Sequence, residues 1–119
     1  MIEVIIPGKG SYRLNYLVLD LNGTITLDGN VIDGVEGRLH SLSGLVDISV
    51  VTADTRGRAQ ELAESLGVKV HKVDAGGEKA QKLEYVLHLG SNETITIGNG
   101  SNDTSMLKEA ALGIATLRE

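Results

Sequence analysis

Asp20 closes a run of apolar, β-favouring residues, Leu17-Val18-Leu19, and Leu21-Asn22-Gly23-Thr24-Ile25-Thr26 follows at once. Short apolar runs bounded by turn residues read as buried strands, so Asp20 is expected at the carboxyl end of one. A carboxylate there can act as a nucleophile, as a hard-oxygen metal ligand, or as both. Taken alone, it reads first as a strand-ending aspartate that caps a turn. Two more segments change that balance. One runs Ser49-Val50-Val51-Thr52-Ala53-Asp54, the other Ile97-Gly98-Asn99-Gly100-Ser101-Asn102-Asp103. Thr52 offers a hydroxyl, and Ala53 and its neighbours offer backbone N–H groups at the start of a helix, which together make a phosphate cradle. Asp20, Asn99, Asp103 and the backbone carbonyl of Asn22 would supply oxygen donors of the kind that suits Mg²⁺. A lysine near the start of the helix expected over 78–89, Lys79 or Lys82, would pair with phosphate and Asp20 together. The other of the two lies on a solvated helix face.

These groups converge only if the elements beneath them are parallel strands. Residues 2–6 read as a strand, Pro7-Gly8-Lys9-Gly10 as a turn, and 12–14 as an antiparallel return. The strand bearing Asp20 spans about 16–21. Residues 26–32 form a hairpin around Asp28-Gly29, a small flap beside Asp20. Apolar residues at 35, 39, 42 and 45 give helical spacing over 35–45, and 46–52 reads as the second buried strand. A helix over 56–66 closes at Gly67, and a strand follows over 68–73. The helix over 78–89 ends at Gly90. A strand over 94–97, a helix over 103–111 and a short strand over 112–116 complete the pattern. Strand–helix alternation of this kind predicts an α/β fold, a three-layer Rossmann-like parallel sheet with helices on both faces. The Asp20 strand should be central, and all three polar strand ends should lie on one edge, where ligands bind in open sheets.

Composition narrows the function classes. The 119 residues suffice for one domain with a modest core. There is no Cys, so disulfides, thiolate metal sites and thiol nucleophiles are unavailable. A net charge of −5 argues against a nucleic-acid partner or a polybasic membrane contact. No apolar run is long enough to span a bilayer, and Met1-Ile2-Glu3-Val4 lacks the character of a signal peptide. The expectation is a cytoplasmic protein with an aliphatic core, since there are three Tyr and neither Phe nor Trp.

Asp20-Leu21-Asn22-Gly23-Thr24-Ile25-Thr26 resembles the DxDGT(L/I)T signature of the haloacid dehalogenase superfamily. It is closer still to the DKTGT(L/I)T signature of P-type ATPase phosphorylation domains. Thr52-Ala53-Asp54 with Ala59, Leu62, Ala63, Leu66, Gly67 and Val68 is similar to their TGD…A..IA..LGI segment. Gly98-Asn99-Gly100-Ser101-Asn102-Asp103, continued by Met106-Leu107-Lys108-Glu109-Ala110 and Leu112-Gly113-Ile114-Ala115, resembles GDGxND…LK.AD.GIA. The matches keep family order over most of 17–116, and the chain resembles the small archaeal soluble P-type ATPase-like proteins. The resemblance implies one haloacid dehalogenase-like domain over 1–119, with an N-terminal hairpin over about 2–14 and a core over about 16–116. It implies that Asp20 attacks phosphorus and becomes an aspartyl phosphate, and that Thr52 holds the transferring group. Lys82 or Lys79 would balance charge, with Lys82 favoured because Tyr85, Val86 and Leu89 follow it at the family's spacing. Asp103 and Asn99 would serve a Mg²⁺ site with Asp20 and Asn22. The partner implied is a small phosphorylated molecule.

Two positions depart from the family pattern. Asn22 stands where superfamily phosphatases carry the aspartate that acts as general acid and base, and where P-type ATPases have threonine. Asn99 stands where both groups carry a metal-binding aspartate. Slow turnover is therefore expected. The alternative is a catalytically weak or inactive protein that binds phosphate or a partner. Only residues 21–51 separate Asp20 from Thr52, and a flap and a helix use them up. That excludes the nucleotide-binding domain of a pump and any large cap. With an open site, the flap over 26–31 is expected to pack near a second subunit, which makes the chain a homo-oligomer.

Overall fold

A computed structural model describes residues 1–27, 30–53, 57–99 and 103–116. An N-terminal hairpin pairs β1 (Ile2–Ile6) with β2 (Gly10–Leu14), antiparallel. The main sheet then begins with β3 (Tyr16–Asp20). β4 (Thr26–Leu27) and β5 (Asn30–Val31) pair antiparallel as the expected flap. Its turn, Asp28-Gly29, lies outside the described residues. The rest runs α1 (Val35–Leu42), β6 (Asp47–Thr52), α2 (Arg58–Leu66), β7 (Lys69–Lys72), α3 (Glu78–Leu89), a 3-10 turn (Ser91–Glu93), β8 (Thr94–Gly98), α4 (Thr104–Glu109) and β9 (Leu112–Ala115). The five-stranded sheet has the order β7-β6-β3-β8-β9, every pairing parallel, with β3 in the middle.

The two-residue period of β3 divides the core. Leu17 and Leu19 face a cluster with Ile48, Val50, Leu39, Ala59 and Leu66, under α1 and α2. Val18 faces the other way, toward Val51, Val86 and Met106 under α3 and α4. A strand buried on both faces reads as a continuous apolar run, which is the pattern of 17–19. Helices on both faces of a parallel sheet are the expected architecture. α2 stops where expected because Gly67 takes φ 73, and its N–H closes the helix on Ala63 and Glu64.

Two helices end earlier than their apolar spacing suggests. α1 ends at Leu42 rather than 45, because the N–H groups of Leu45 and Val46 both turn back to the Leu42 carbonyl. α4 ends at Glu109 rather than 111. Ala110 is extended, with ψ 159, and the Ala111 N–H leaves the helix for the carbonyls of Ser91 and Thr94. Strand ends differ from expectation by about one residue, which is ordinary. The start of α2 is seen at Arg58, while Arg56 falls outside the described residues. Among the described residues, no helix is long and apolar enough to cross a membrane.

β9 is clamped against α4 through Gly113. A Cβ on Gly113 would lie 2.0 Å from the backbone oxygen of Leu107. Backbone cannot swing aside as a side chain can, so Gly113→Ala should cost about 3 kcal/mol through overpacking. Gly44→Ala, with nothing within 4 Å of the added methyl, is the matched control. Urea unfolding of both variants checks this, and equal midpoints would show that β9 does not pack as described.

Candidate active site

Parallel register brings the polar strand ends to one edge. Asp20 is level with Val51, one residue before Thr52, and Leu19 is level with Ile97, one residue before Gly98. The chain leaves β3 through a tight loop. The Leu21 carbonyl accepts the N–H groups of Thr24, Ile25 and Thr26 at 3.3, 2.9 and 3.0 Å, and the Gly23 N–H donates to Thr26 O at 2.6 Å. Gly23 adopts φ 82, which a side chain would resist. The loop holds Asn22 outward. It is exposed, and its Oδ1 accepts the Thr26 hydroxyl at 3.4 Å.

Lys82 is the centre of the cluster. Its Nζ donates to Asp20 Oδ1 at 3.3 Å and to Asp103 Oδ1 at 2.8 Å. Its side chain is only 5% exposed, against 16% for Asp20 and 0% for Asp103. The other oxygen of Asp103, Oδ2, accepts the Asn99 N–H at 3.1 Å. Of the two lysines kept open by the sequence, Lys82 lies among the carboxylates, and Lys79 stands one helical turn away in solvent. Thr52 is buried at the end of β6, and Ala53 is half-buried beside it. Asp54, Gly100, Ser101 and Asn102, which the motifs included, lie outside the described residues.

Burial raises the Asp20 carboxyl to a pKa of about 6, from 3.8 in the open chain. Lys82 opposes the shift, and the Asp103 charge adds to it. Burial would push the Lys82 ammonium down, but the Asp103 hydrogen bond and the charges of Asp20 and Asp103 outweigh it, and the net direction is up. The folded state thus binds more protons at Asp20 than the unfolded chain does between pH 3.8 and about 6. Stability contributed by Asp20 is present below 3.8 and is lost as pH rises through about 6. In the metal-free protein, the ¹³C carboxyl signal of Asp20 should titrate near pH 6. A midpoint in the ordinary aspartate range would refute the burial argument.

Gly98 has a task that its place in the sequence motif does not reveal. A Cβ there would lie 2.5 Å from Asp103 Oδ2 and 2.6 Å from its Cγ. Gly98 is the space in which the Asp103 carboxylate sits. Gln81 was missed as well. Its Oε1 accepts the Asp74 N–H at 2.8 Å, and its Nε2 donates to Asp74 O at 3.0 Å, which pins the loop before α3. The signal for Gly98 was its place directly before Asn99, at the end of an apolar strand. Nothing in the local sequence pointed to Gln81.

The metal ligands expected from the sequence would all be oxygen: the Asp20 and Asp103 carboxylates, the Asn22 main-chain carbonyl and the Asn99 amide. Hard oxygen donors suit Mg²⁺. Among the described residues, no three His, Cys, Asp or Glu side chains group together, so a purely carboxylate cage is not built. Asp103, expected as a ligand, already uses Oδ1 on Lys82 and Oδ2 on the Asn99 N–H.

A family model described as haloacid dehalogenase-like hydrolase matches residues 48–117. A chloroplastic copper-transporting ATPase of Arabidopsis thaliana is 29% identical over 72 residues, which are 59% of this chain and 8% of that protein. In fold, the chain is similar to a Vibrio cholerae structure provisionally assigned as a 3-deoxy-D-manno-octulosonate 8-phosphate phosphatase. There the TM-score is 0.70 at 14% identity, over 89% of this chain and 72% of that one. It is also similar to the cobalt-bound deoxy-D-mannose-octulosonate 8-phosphate phosphatase of Haemophilus influenzae, with TM-score 0.60 at 16% identity, over 82% and 66%.

Proposed function

This chain belongs to the haloacid dehalogenase-like hydrolase family, and from that premise we propose that it is a Mg²⁺-dependent phosphatase or phosphotransferase working through an aspartyl phosphate on Asp20. The observation that supports this reading is the Lys82 bridge between Asp20 and Asp103, 3.3 and 2.8 Å long, at the carboxyl edge of the central strands. A cation held between two carboxylates at a strand end suits a site that must accept a dianionic phosphoryl group. The substrate is a small phosphorylated molecule.

The reaction has two displacements. A carboxylate oxygen of Asp20 attacks phosphorus, the P–O bond to the leaving group breaks, and the leaving oxygen takes a proton from water. Water then attacks the same phosphorus, the bond to Asp20 breaks, and the water proton passes to solvent. Phosphate departs and the Asp20 carboxylate is restored. Thr52 and the Ala53 N–H would hold the transferring group, and Lys82 would offset its charge. Asp103 holds Lys82 in place, and Gly98 leaves room for it to do so. Asp20, the Asn22 carbonyl, the Asn99 amide and Asp103 would hold Mg²⁺. When bound, the metal supplies Lewis-acid stabilisation of the phosphoryl oxygens. One ligand being a neutral Asn99 makes the site weak, since ligand charge sets much of the affinity.

Hydrolysis of p-nitrophenyl phosphate with and without Mg²⁺ tests the reading. Slow release that depends on Mg²⁺ supports it. Absence of release, together with retained binding of a phosphate mimic, turns the assignment to the second reading, a phosphate- or partner-binding protein. The exposed amide of Asn22, tied to the Thr26 hydroxyl, is the observation favouring that alternative.

A further inference from the structure

Lys82 has a long side chain, yet its Nζ meets carboxylates from two different elements at 3.3 and 2.8 Å in a buried setting. That bridge depends on where α3 lies on the sheet. Three residues further along α3, and so on the same helix face, Tyr85 also reaches the sheet. Its hydroxyl donates to Ser49 Oγ on β6 at 2.8 Å. Its ring stacks on the imidazole of His71 on β7, with centroids 4.1 Å apart and planes at 15°. Ser49 is level with Val18, two residues before Asp20 on the neighbouring strand. Lys82 and Tyr85 therefore touch the sheet at two successive levels, as α3 runs back along the strands from Asp20. Ser49 is the unusual residue of β6. It is 3% exposed, and Ile48, Val50 and Val51 around it are apolar and buried. A buried hydroxyl is costly unless it is hydrogen-bonded, and an alanine at this place would need no partner.

We propose that Tyr85 is a positioning residue for Lys82: the Ser49 hydrogen bond and the His71 stack fix α3 on the sheet, so that Lys82 meets Asp20 and Asp103 together. The effect on catalysis rests on the phosphatase reading of Asp20, while the placement of the ammonium does not. The hydrogen bond fixes α3 along the strands. The stack fixes it across them, because β7 lies one strand further from β3 than β6 does. On the other side of Lys82, Gln81 grips the N–H and the carbonyl of Asp74 at 2.8 and 3.0 Å and holds the first turn of α3. Placement of this kind matters for a group that offsets charge on phosphorus. A displacement of about 1 Å can cost about 10²-fold in rate.

The test is a double-mutant cycle of Tyr85→Phe and Ser49→Ala, with circular dichroism to confirm the fold of each variant. Each single change leaves one hydroxyl of the pair without the other. The double variant has neither, so the stability lost in the single variants should largely return. The place of Lys82 should not return with it, because apolar contact alone does not fix α3 along the strands. In the metal-free protein, the ¹H–¹⁵N signal of the Lys82 ammonium should shift or broaden in all three variants. With p-nitrophenyl phosphate and Mg²⁺, kcat should fall about tenfold in all three, with KM nearly unchanged. A double variant whose urea midpoint, Lys82 signal and kcat all return to the parent values overturns the inference, since Tyr85 would then only stabilise the fold. So does an unchanged Lys82 signal in the folded single variants. A parent that hydrolyses no phosphate ester overturns the phosphatase reading, and the Lys82 signal still decides whether Tyr85 positions the lysine.

Discussion

Asp20→Asn is expected to lower phosphate-ester hydrolysis by at least about 10⁴-fold and to leave the fold as stable as before, or more so. The loss follows from the chemistry. An amide oxygen at the end of β3 keeps the shape of the side chain but cannot form the acyl phosphate. The stability effect runs the other way from most buried substitutions. Burial holds the Asp20 carboxyl near a pKa of about 6, so at pH 7 the fold keeps an ionised carboxylate against the preference of its surroundings. A neutral amide relieves that conflict. Lys82 loses the attraction of Asp20 at 3.3 Å but keeps Asp103 at 2.8 Å. The fall in stability that Asp20 contributes between pH 3.8 and about 6 should vanish in the variant. Thermal melting across that range, phosphate release, and beryllium fluoride binding followed by NMR read the three consequences separately. Hydrolysis retained in Asp20→Asn would rule out the nucleophile. Activity lost together with the fold would make Asp20 a structural residue instead.

The frame that places Asp20 was legible in the sequence because a parallel sheet is written in its strands. Leu17, Val18 and Leu19 are apolar in succession, and that is the signature of burial on both faces. The strand–helix alternation then fixed one edge for Asp20, Thr52 and Asn99. What the sequence left open was azimuth and pairing. Lys79 and Lys82 are one helical turn apart, and local pattern treats both as polar positions near a helix start. The structure separates them, because only Lys82 is directed under the sheet edge, between carboxylates contributed by β3 and by the start of α4. Gly98 and Gln81 were invisible for a related reason. One matters through a side chain five residues on, the other through the backbone of a residue seven back. Such contacts arise only once α3, α4 and the sheet are assembled. The early ends of α1 and α4 belong with them, since apolar spacing continues past the point where backbone N–H groups find other acceptors.

Asn22→Asp should raise steady-state turnover on p-nitrophenyl phosphate, and the gain should come from the second displacement. A positioned base that takes the proton of attacking water contributes about 10²–10⁴-fold, and an amide cannot accept that proton. With Asn22 in place the aspartyl phosphate should accumulate, so the parent should show a burst of p-nitrophenol followed by a slow steady rate. The substitution is well tolerated by the loop. Position 22 is exposed, and an aspartate oxygen can accept the Thr26 hydroxyl as Asn22 Oδ1 does at 3.4 Å. The turn itself depends on the Leu21 carbonyl and on Gly23, which the change leaves untouched. An acid at this position also protonates the leaving oxygen, so alkyl phosphates should gain more than p-nitrophenyl phosphate, whose leaving group is already good. The burst should shrink as the steady rate rises, because the intermediate no longer waits. A steady rate unchanged in Asn22→Asp, in a protein that Asp20→Asn silences, would mean that another group or bulk water already serves as the base. The slow step would then lie elsewhere, with product release the next candidate to measure.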